Sequence, residues 1–317
     1  VTVVCGIDEA GYGPSLGPLV VAASAFRLEP GAREAALHRL LQLKDAGGGL
    51  TIDDSKRVWS GPRSLAALET SVLGHVALGR GVLPLRVATL LHDAVDFAAE
   101  EVEELPWYRE RLLPMRLPRR AGLADLLARA ERQAELLADR GLSFAGFAVA
   151  PVPEPRFNHV TRMHGSKAWP LFLCAARLID TLIARFPKDE LVIHVDRQGG
   201  RVRYADLLQG FFPLAPLAIV REKPAESSYR FDLPDRPPVH IQVHVRGDAT
   251  KAPVALASLL AKYVRELFME SLNAWFAEQA PGVRPTAGYP QDAQRWLRDV
   301  EAVVERAALR ERLVRIR

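Results

Sequence analysis

Two short apolar runs rich in β-branched residues, 1–7 and 19–26, open the chain, with a Gly- and Pro-rich stretch over 11–18 between them. Runs of that length bounded by turn residues predict two strands joined by a loop. A third apolar run, 191–195, ends on Asp196, and 239–245 alternate Val, His, Ile, Gln, Val, His and Val shortly before Asp248. The two-residue period predicts a strand there too, so two predicted strands lead into an aspartate. Past Asp248 the apolar residues Leu256, Leu259, Leu260, Tyr263, Val264, Leu267 and Phe268 recur three and four apart. That spacing predicts a long amphipathic helix over 253–277 with Pro253 in its first turn. Helical periodicity also covers 64–73, 87–104, 121–139, 170–186 and 291–309. Strands interleaved with helices predict a mixed α/β chain.

Two stretches fall outside this pattern. Residues 60–155 are rich in Leu, Ala, Arg and Glu, are broken by a Pro and Arg cluster at 113–120, and close on the Pro-rich 151–155. They predict a helical insertion or lobe, leaving 1–59 and 156–317 as the core domain. A smaller insertion is predicted over 200–238, punctuated by Pro213, Pro216, Pro224, Pro234, Pro237 and Pro238.

Composition narrows the class. A chain of 317 residues, 49% hydrophobic, can bury a substantial core, while no apolar run approaches the roughly 18 residues that cross a bilayer. A cytoplasmic, monomeric protein without a membrane partner is expected. Cys5 and Cys174, the only cysteines, sit in apolar stretches and read as buried thiols rather than a disulfide framework or a thiolate zinc site. The net charge of +4 admits a polyanionic partner without requiring one. Arg306, Arg310, Arg312, Arg315 and Arg317 crowd the end of the sequence. They suggest either a phosphate-contacting arm or cations that complement a helix terminus.

The sharpest local signal is the segment Gly6, Ile7, Asp8, Glu9, Ala10, Gly11, Tyr12, Gly13, Pro14, an apolar strand that stops on two adjacent acids before a glycine-rich loop. Adjacent acids at a strand end ordinarily mark a solvated turn. Here Asp196 and Asp248 also follow strands, and four such carboxylates form a ligand set for a hard divalent cation engaged in phosphoryl chemistry. His194, His240 and His244 share strand faces that lead to these aspartates, so imidazole ligation is a secondary reading beside the usual one of residues lining a partly solvated face. Gly11, Gly13 and Gly17 do not make a dinucleotide fingerprint, because Leu16 stands where the third glycine is due. Asp53 reads as a loop acid.

With these residues laid out, the chain resembles the ribonuclease HII (type 2 ribonuclease H) family. Residues 6–18 resemble its opening signature, Asp54-Ser55-Lys56 its Asp-Ser-Lys motif, and Val195-Asp196 its third acidic motif. Arg246-Gly247-Asp248, followed by Ala257-Ser258-Leu259-Leu260-Ala261-Lys262, resembles the fourth acid and its helix, and Gly288-Tyr289-Pro290 the later Gly-Tyr motif. The resemblance implies a ribonuclease H-like fold, a mixed central sheet flanked by helices. It implies Asp8, Glu9, Asp196 and Asp248 as catalytic ligands of two Mg²⁺ or Mn²⁺ ions, with Asp8 bridging. It further implies Gly11, Tyr12, Gly13, Ser55, Lys56, Ser258, Lys262 and Tyr289 as substrate contacts, Tyr289 by stacking at the ribonucleotide. The substrate implied is an RNA/DNA hybrid or a ribonucleotide within duplex DNA, cut to leave a 3′-hydroxyl and a 5′-phosphate. Tyr12 departs from the arginine of the family's Gly-Arg-Gly loop, and Arg197 follows Asp196 where glycine is usual. Those departures keep two alternatives open: a related nuclease for another structure such as branched DNA, and a non-catalytic nucleic-acid-binding relative.

Overall fold

A computed structural model of the chain describes residues 1–42, 48–59 and 64–316. At its centre a single sheet runs in the order β3-β2-β1-β4-β7-β6-β5. The strands are β1 (Thr2–Ala10), β2 (Leu19–Leu28), β3 (Leu142–Val152), β4 (Glu190–Asp196), β5 (Leu217–Glu222), β6 (Glu226–Phe231) and β7 (Val239–His244). β1, β4 and β7 are parallel; β2, β3, β6 and β5 join the two flanks antiparallel. Helices cover both faces, giving the mixed sheet flanked by helices that was expected of a ribonuclease H-like chain. Along β1, Val3, Cys5 and Ile7 pack into the core beneath the helices Glu154–His164 and Ala168–Arg185, while Val4 packs under the long helix Ala252–Gln279. A strand buried on both faces must be apolar throughout, which is why 1–7 reads as an unbroken run. Because β1, β4 and β7 are parallel, their carboxyl ends share one edge, where ligand sites of such sheets form. Asp8, Asp196 and Asp248 are all delivered to that edge.

The long helix begins almost on top of β1. A β-carbon added to Gly6 would lie 2.1 Å from the carbonyl carbon of Pro253 and 2.2 Å from the amide nitrogen of Val254. Only hydrogen fits there. Next door, Ser24 Oγ donates to the Pro253 carbonyl at 2.7 Å, fixing the same turn to β2.

The 60–155 stretch differs from its expected form at its end. Residues 142–152 are β3, an edge strand of the central sheet rather than part of a helical lobe. The predicted helix over 87–104 is also broken, into Val87–Leu90 and Ala99–Glu103, with Asp96 in a left-handed conformation (φ 50°) between them. There the chain leaves helical pairing so that the Val95 amide can bond the Val149 carbonyl of β3 at 2.7 Å. Ser64–Arg80 and Leu123–Ala138 are helical as predicted. Within the arginine cluster, Arg119 pairs with Glu270, and the amides of Arg119, Arg120 and Ala121 converge on the buried Glu69 carboxylate, which also accepts from Tyr263. The 200–238 stretch is likewise no simple insertion: it supplies the helix Ala205–Phe211 and the hairpin of β5 and β6, which widens the sheet. Among the described residues no helix is long and apolar enough to cross a membrane.

Gly6→Ala is expected to cost about 1–3 kcal/mol or more by overpacking against backbone that cannot yield. Urea unfolding measures this, and an unchanged midpoint would show that the start of the long helix is not seated on β1.

Candidate active site

The register of β1 and β4 pairs Ile7 with Val195, so Asp8 and Asp196 follow as neighbours on the face toward the long helix. Asp8 Oδ1 accepts the Glu9 amide at 2.7 Å. Asp196 Oδ1 accepts the Gly247 amide at 2.7 Å, and Gly247 opens the short helix Gly247–Thr250 that carries Asp248. Asp196 therefore holds the turn that presents Asp248. From the long helix, Ser258 stands close enough to Asp8 to lower its pKa, and its hydroxyl donates to Ser55 Oγ at 3.1 Å. Ser55 begins the helix Ser55–Val58, capped by Asp54, whose carboxylate accepts the Lys56 amide at 2.8 Å. The positive charge of Lys56 acts on both Asp196 and Asp248. Residues from four separated motifs thus meet around Asp8 and Asp196.

These acids burden one another. Burial, then the charges of Glu9 and Asp196, hold the Asp8 carboxyl well above the usual carboxylate range. Burial and the charge of Asp196 raise Glu9 to about 7. Asp196 is raised to about 6 by burial and Asp248, and Asp248 is raised by burial and by Asp54. Among the described residues no lysine or arginine forms an ion pair with any of the four. An all-oxygen donor set whose members resist joint ionisation has the chemistry of a hard divalent cation's ligands, although no three of these four carboxylates bring oxygens within 4.8 Å of one another.

The loop beside the acids is clamped from below. Gly11 adopts φ 87°, and a β-carbon there would meet the Pro18 carbonyl oxygen at 2.5 Å and Arg265 Nε at 2.7 Å. Arg265, itself buried, donates to the carbonyls of Leu16 and Ala287 at 3.4 and 2.9 Å. The Gly288 carbonyl accepts the amides of Ser15 and Leu16 at 2.8 and 3.3 Å. This joins the loop to the turn that bears Tyr289, whose side chain is about half exposed. Gly13 has open space around it. Arg315 is buried, lies 3.9 Å from the centre of the Phe157 ring, and donates to the carbonyls of Gly11 at 2.5 Å and Tyr12 at 3.0 Å. Its sequence reading as part of a phosphate-contacting arm is therefore corrected: a buried guanidinium needs acceptors, and the loop supplies them.

Other predicted contacts are divided. Lys262 sits one turn beyond Ser258 but is engaged by Glu266 at 2.6 Å and by the Trp59 ring at 4.6 Å. Arg197 donates to the Pro224 carbonyl at 2.8 Å. The Tyr12 ring carries Lys167 Nζ 5.3 Å from its centre. The histidines face a different group: His194 Nδ1 lies 2.9 Å from His244 Nε2, and His240 faces Glu190 at 3.8 Å. Burial lowers the pKa of His194, and brings that of His244 to about 4. Sequence reasoning missed Arg265 and Arg315 as supports of the loop, Lys167 over Tyr12, and the grouping of Glu34, His38 and Lys251 near His194. Only the four-residue spacing of Glu34 and His38 signalled any of these.

No family model and no curated protein matches the chain. Solved structures are similar to it. The ribonuclease HII in a PCNA complex from Archaeoglobus fulgidus matches over 99% of this chain and 94% of its own at 18% identity, TM-score 0.41. The ribonuclease H2 from Pyrococcus horikoshii OT3 matches over 97% and 89% at 16% identity, TM-score 0.41. A Bst ribonuclease HIII solved with Mn²⁺ matches over 99% of this chain but 66% of its own, at 15% identity and TM-score 0.44. Likenesses this distant leave the site to be argued from its own geometry.

The raised carboxyls make a signed prediction. A carboxyl that binds its proton more tightly when folded favours the fold at low pH, and that contribution is lost as pH rises through the folded value. For Glu9 the window runs from the ordinary 4.5 to about 7. In metal-free protein, Glu9→Gln should gain stability relative to the parent as pH rises across that window, and Mg²⁺ should shrink the difference. Parallel stability curves for the two proteins would show that Glu9 is not in conflict with its neighbours.

Proposed function

We propose that the chain is a divalent-metal-dependent endonuclease of the ribonuclease H type. It hydrolyses the RNA strand of RNA/DNA hybrids, or ribonucleotides embedded in duplex DNA, leaving 3′-hydroxyl and 5′-phosphate ends. The observation that carries the reading is the convergence of Asp8, Glu9, Asp196 and Asp248 at one sheet edge, each made harder to ionise by burial and by a neighbouring acid. Asp8, Glu9, Asp196 and Asp248 would hold Mg²⁺ or Mn²⁺, which would supply Lewis acidity toward a phosphodiester and its attacking water. The chain's own groups do the rest. Ser258 orients Asp8, and the Gly247 amide orients Asp196. Lys56 offers a positive charge to a phosphate at the same edge. The open main chain at Gly13 leaves room for a ribose, so that the Gly11, Tyr12 and Gly13 backbone senses the 2′-hydroxyl, and the exposed Tyr289 ring gives the nucleotide a surface to stack on. Lys167 over Tyr12 returns a cation to a loop that lacks the arginine of the resembled family.

Tyr12 also favours a second reading, a nuclease for another structured nucleic acid such as branched DNA. A purely binding role fits less well, because four carboxylates repel phosphate unless a cation joins them. Cleavage of a DNA duplex holding one ribonucleotide, with and without Mg²⁺ or Mn²⁺, tests the first reading; preference for an all-DNA branched substrate would favour the second. Asp8→Asn is expected to lower cleavage at least about a hundredfold while leaving the fold intact. A folded Asp8→Asn protein with the parental rate at saturating metal would remove Asp8 from the mechanism. Tyr12→Arg should tighten substrate binding and steepen its log-log salt slope by about 0.9, the value of one added phosphate contact. An unchanged slope would mean that residue 12 does not face the substrate backbone.

A further inference from the structure

Two residues back along β4 from Asp196, a different set of ligand-type side chains converges. Glu34 and His38 stand four apart on the helix Glu34–His38, so both leave the same face, and that face meets the sheet at His194. Glu34 Oε1 lies 2.6 Å from His38 Nε2, 2.9 Å from His194 Nε2 and 3.2 Å from Lys251 Nζ. One ligand atom from each of Glu34, His38 and His194 falls within 4.8 Å of the other two. A single carboxylate oxygen has two lone pairs, and three nitrogens over-subscribe it. The consequence is visible at His194. Its side chain is fully buried, yet its Nε2, 2.9 Å from Glu34 Oε1, is poorly aligned for a hydrogen bond there. Leaving such a nitrogen unsatisfied in the interior is costly.

The far side of the His194 ring is already tied. Nδ1 is 2.9 Å from His244 Nε2, and His244 Nδ1 faces Glu226 at 3.8 Å. Two neutral imidazole nitrogens at that separation share one proton, and when it sits on His194 Nδ1 the lone pair of Nε2 points at the cluster. An outer partner that fixes the tautomer in this way is the usual support of a metal-binding histidine.

The geometry points to a second cation site, made of Glu34, His38 and His194, that takes an imidazole-preferring divalent ion of the Zn²⁺ type. Two imidazoles and a carboxylate suit Zn²⁺ far better than Mg²⁺. With bonds of about 2.0–2.1 Å, tetrahedral ligand atoms stand about 3.3 Å apart. The 2.6 and 2.9 Å separations need to open by about 0.7 and 0.4 Å to reach that spacing, in a Glu34 side chain that is one-third exposed. Lys251 is the built-in competitor. Its ammonium lies 3.2 Å from Glu34 Oε1 and 3.3 Å from His38 Nε2, on a partly exposed stem that can swing to solvent when a divalent charge repels it. The ion would clamp the Glu34–His38 helix to β4, and its role is structural. The inference stands independently of the nuclease reading, since none of its ligands belongs to the four acids.

Co²⁺ is the probe, added to chelator-treated full chain with Mg²⁺ in excess to occupy the acids. The parent should bind one Co²⁺ with the intense visible absorption of a four-coordinate nitrogen and oxygen site, displaceable by Zn²⁺, and should melt at higher temperature with the ion bound. His38→Ala should weaken that binding at least about tenfold, a loss of the size that even outer partners produce. Lys251→Met should tighten it, and Asp8→Asn should leave it unchanged. Equal Co²⁺ binding by His38→Ala and the parent would overturn the site. So would the lack of any Mg²⁺-resistant Co²⁺ in both the parent and Lys251→Met.

Discussion

Carboxylates gathered at the shared carboxyl edge of β1 and β4 repel one another where partial burial limits screening by water, and much of the surrounding structure holds them there against that repulsion. Asp8 is buried, and Glu9, Asp196 and Asp248 crowd it or one another. An isolated buried carboxylate relieves its burial by taking a proton; a set of them sharing oxygens can instead stay charged around a cation. Holding the set in place takes rigid elements. Gly6 lets the long helix descend onto β1, and Ser24 fixes the same turn from β2. That seating brings Ser258 to Asp8, while the Gly247 amide ties Asp196 to the turn of Asp248.

The glycine loop is governed by a second constraint, the need of two buried guanidiniums for acceptors. Arg265 from the long helix and Arg315 from near the chain end both donate through terminal guanidinium nitrogens to carbonyls of residues 11–17 and 287. The loop is thereby held open toward solvent at Gly13, with Tyr289 beside it. Its shape depends on residues nearly the whole length of the chain away, so stability and the geometry of the loop are coupled.

What could be read in advance follows the same physics. Parallel strands buried on both faces must be apolar, so β1 and β4 appear as runs that stop on an acid, and the long helix shows its buried face at regular spacing. β3 hid because its small residues, with Gly146 near their middle, resemble the Ala- and Leu-rich helices before it. β5 and β6 hid among prolines that punctuate their ends rather than exclude strands. The segment 87–104 carries apolar residues at helical spacing, yet Val95 is recruited to the edge of β3. Arg315 could not be told from a surface cation, since burial of a charge depends on carbonyls that local sequence does not display. The fold class was thus legible, while the supports of the loop and the Glu34 cluster required the folded chain.

Electron paramagnetic resonance of Mn²⁺ tests most directly the claim that the four acids exist to share a cation. Titrated at neutral pH into the His38→Ala protein, which removes the separate imidazole-containing cluster, Mn²⁺ should lose its free-ion signal on binding. Asp8→Asn in that background should restore most of it. Free-ion signal throughout the titration, or binding indifferent to Asp8→Asn, would contradict the account.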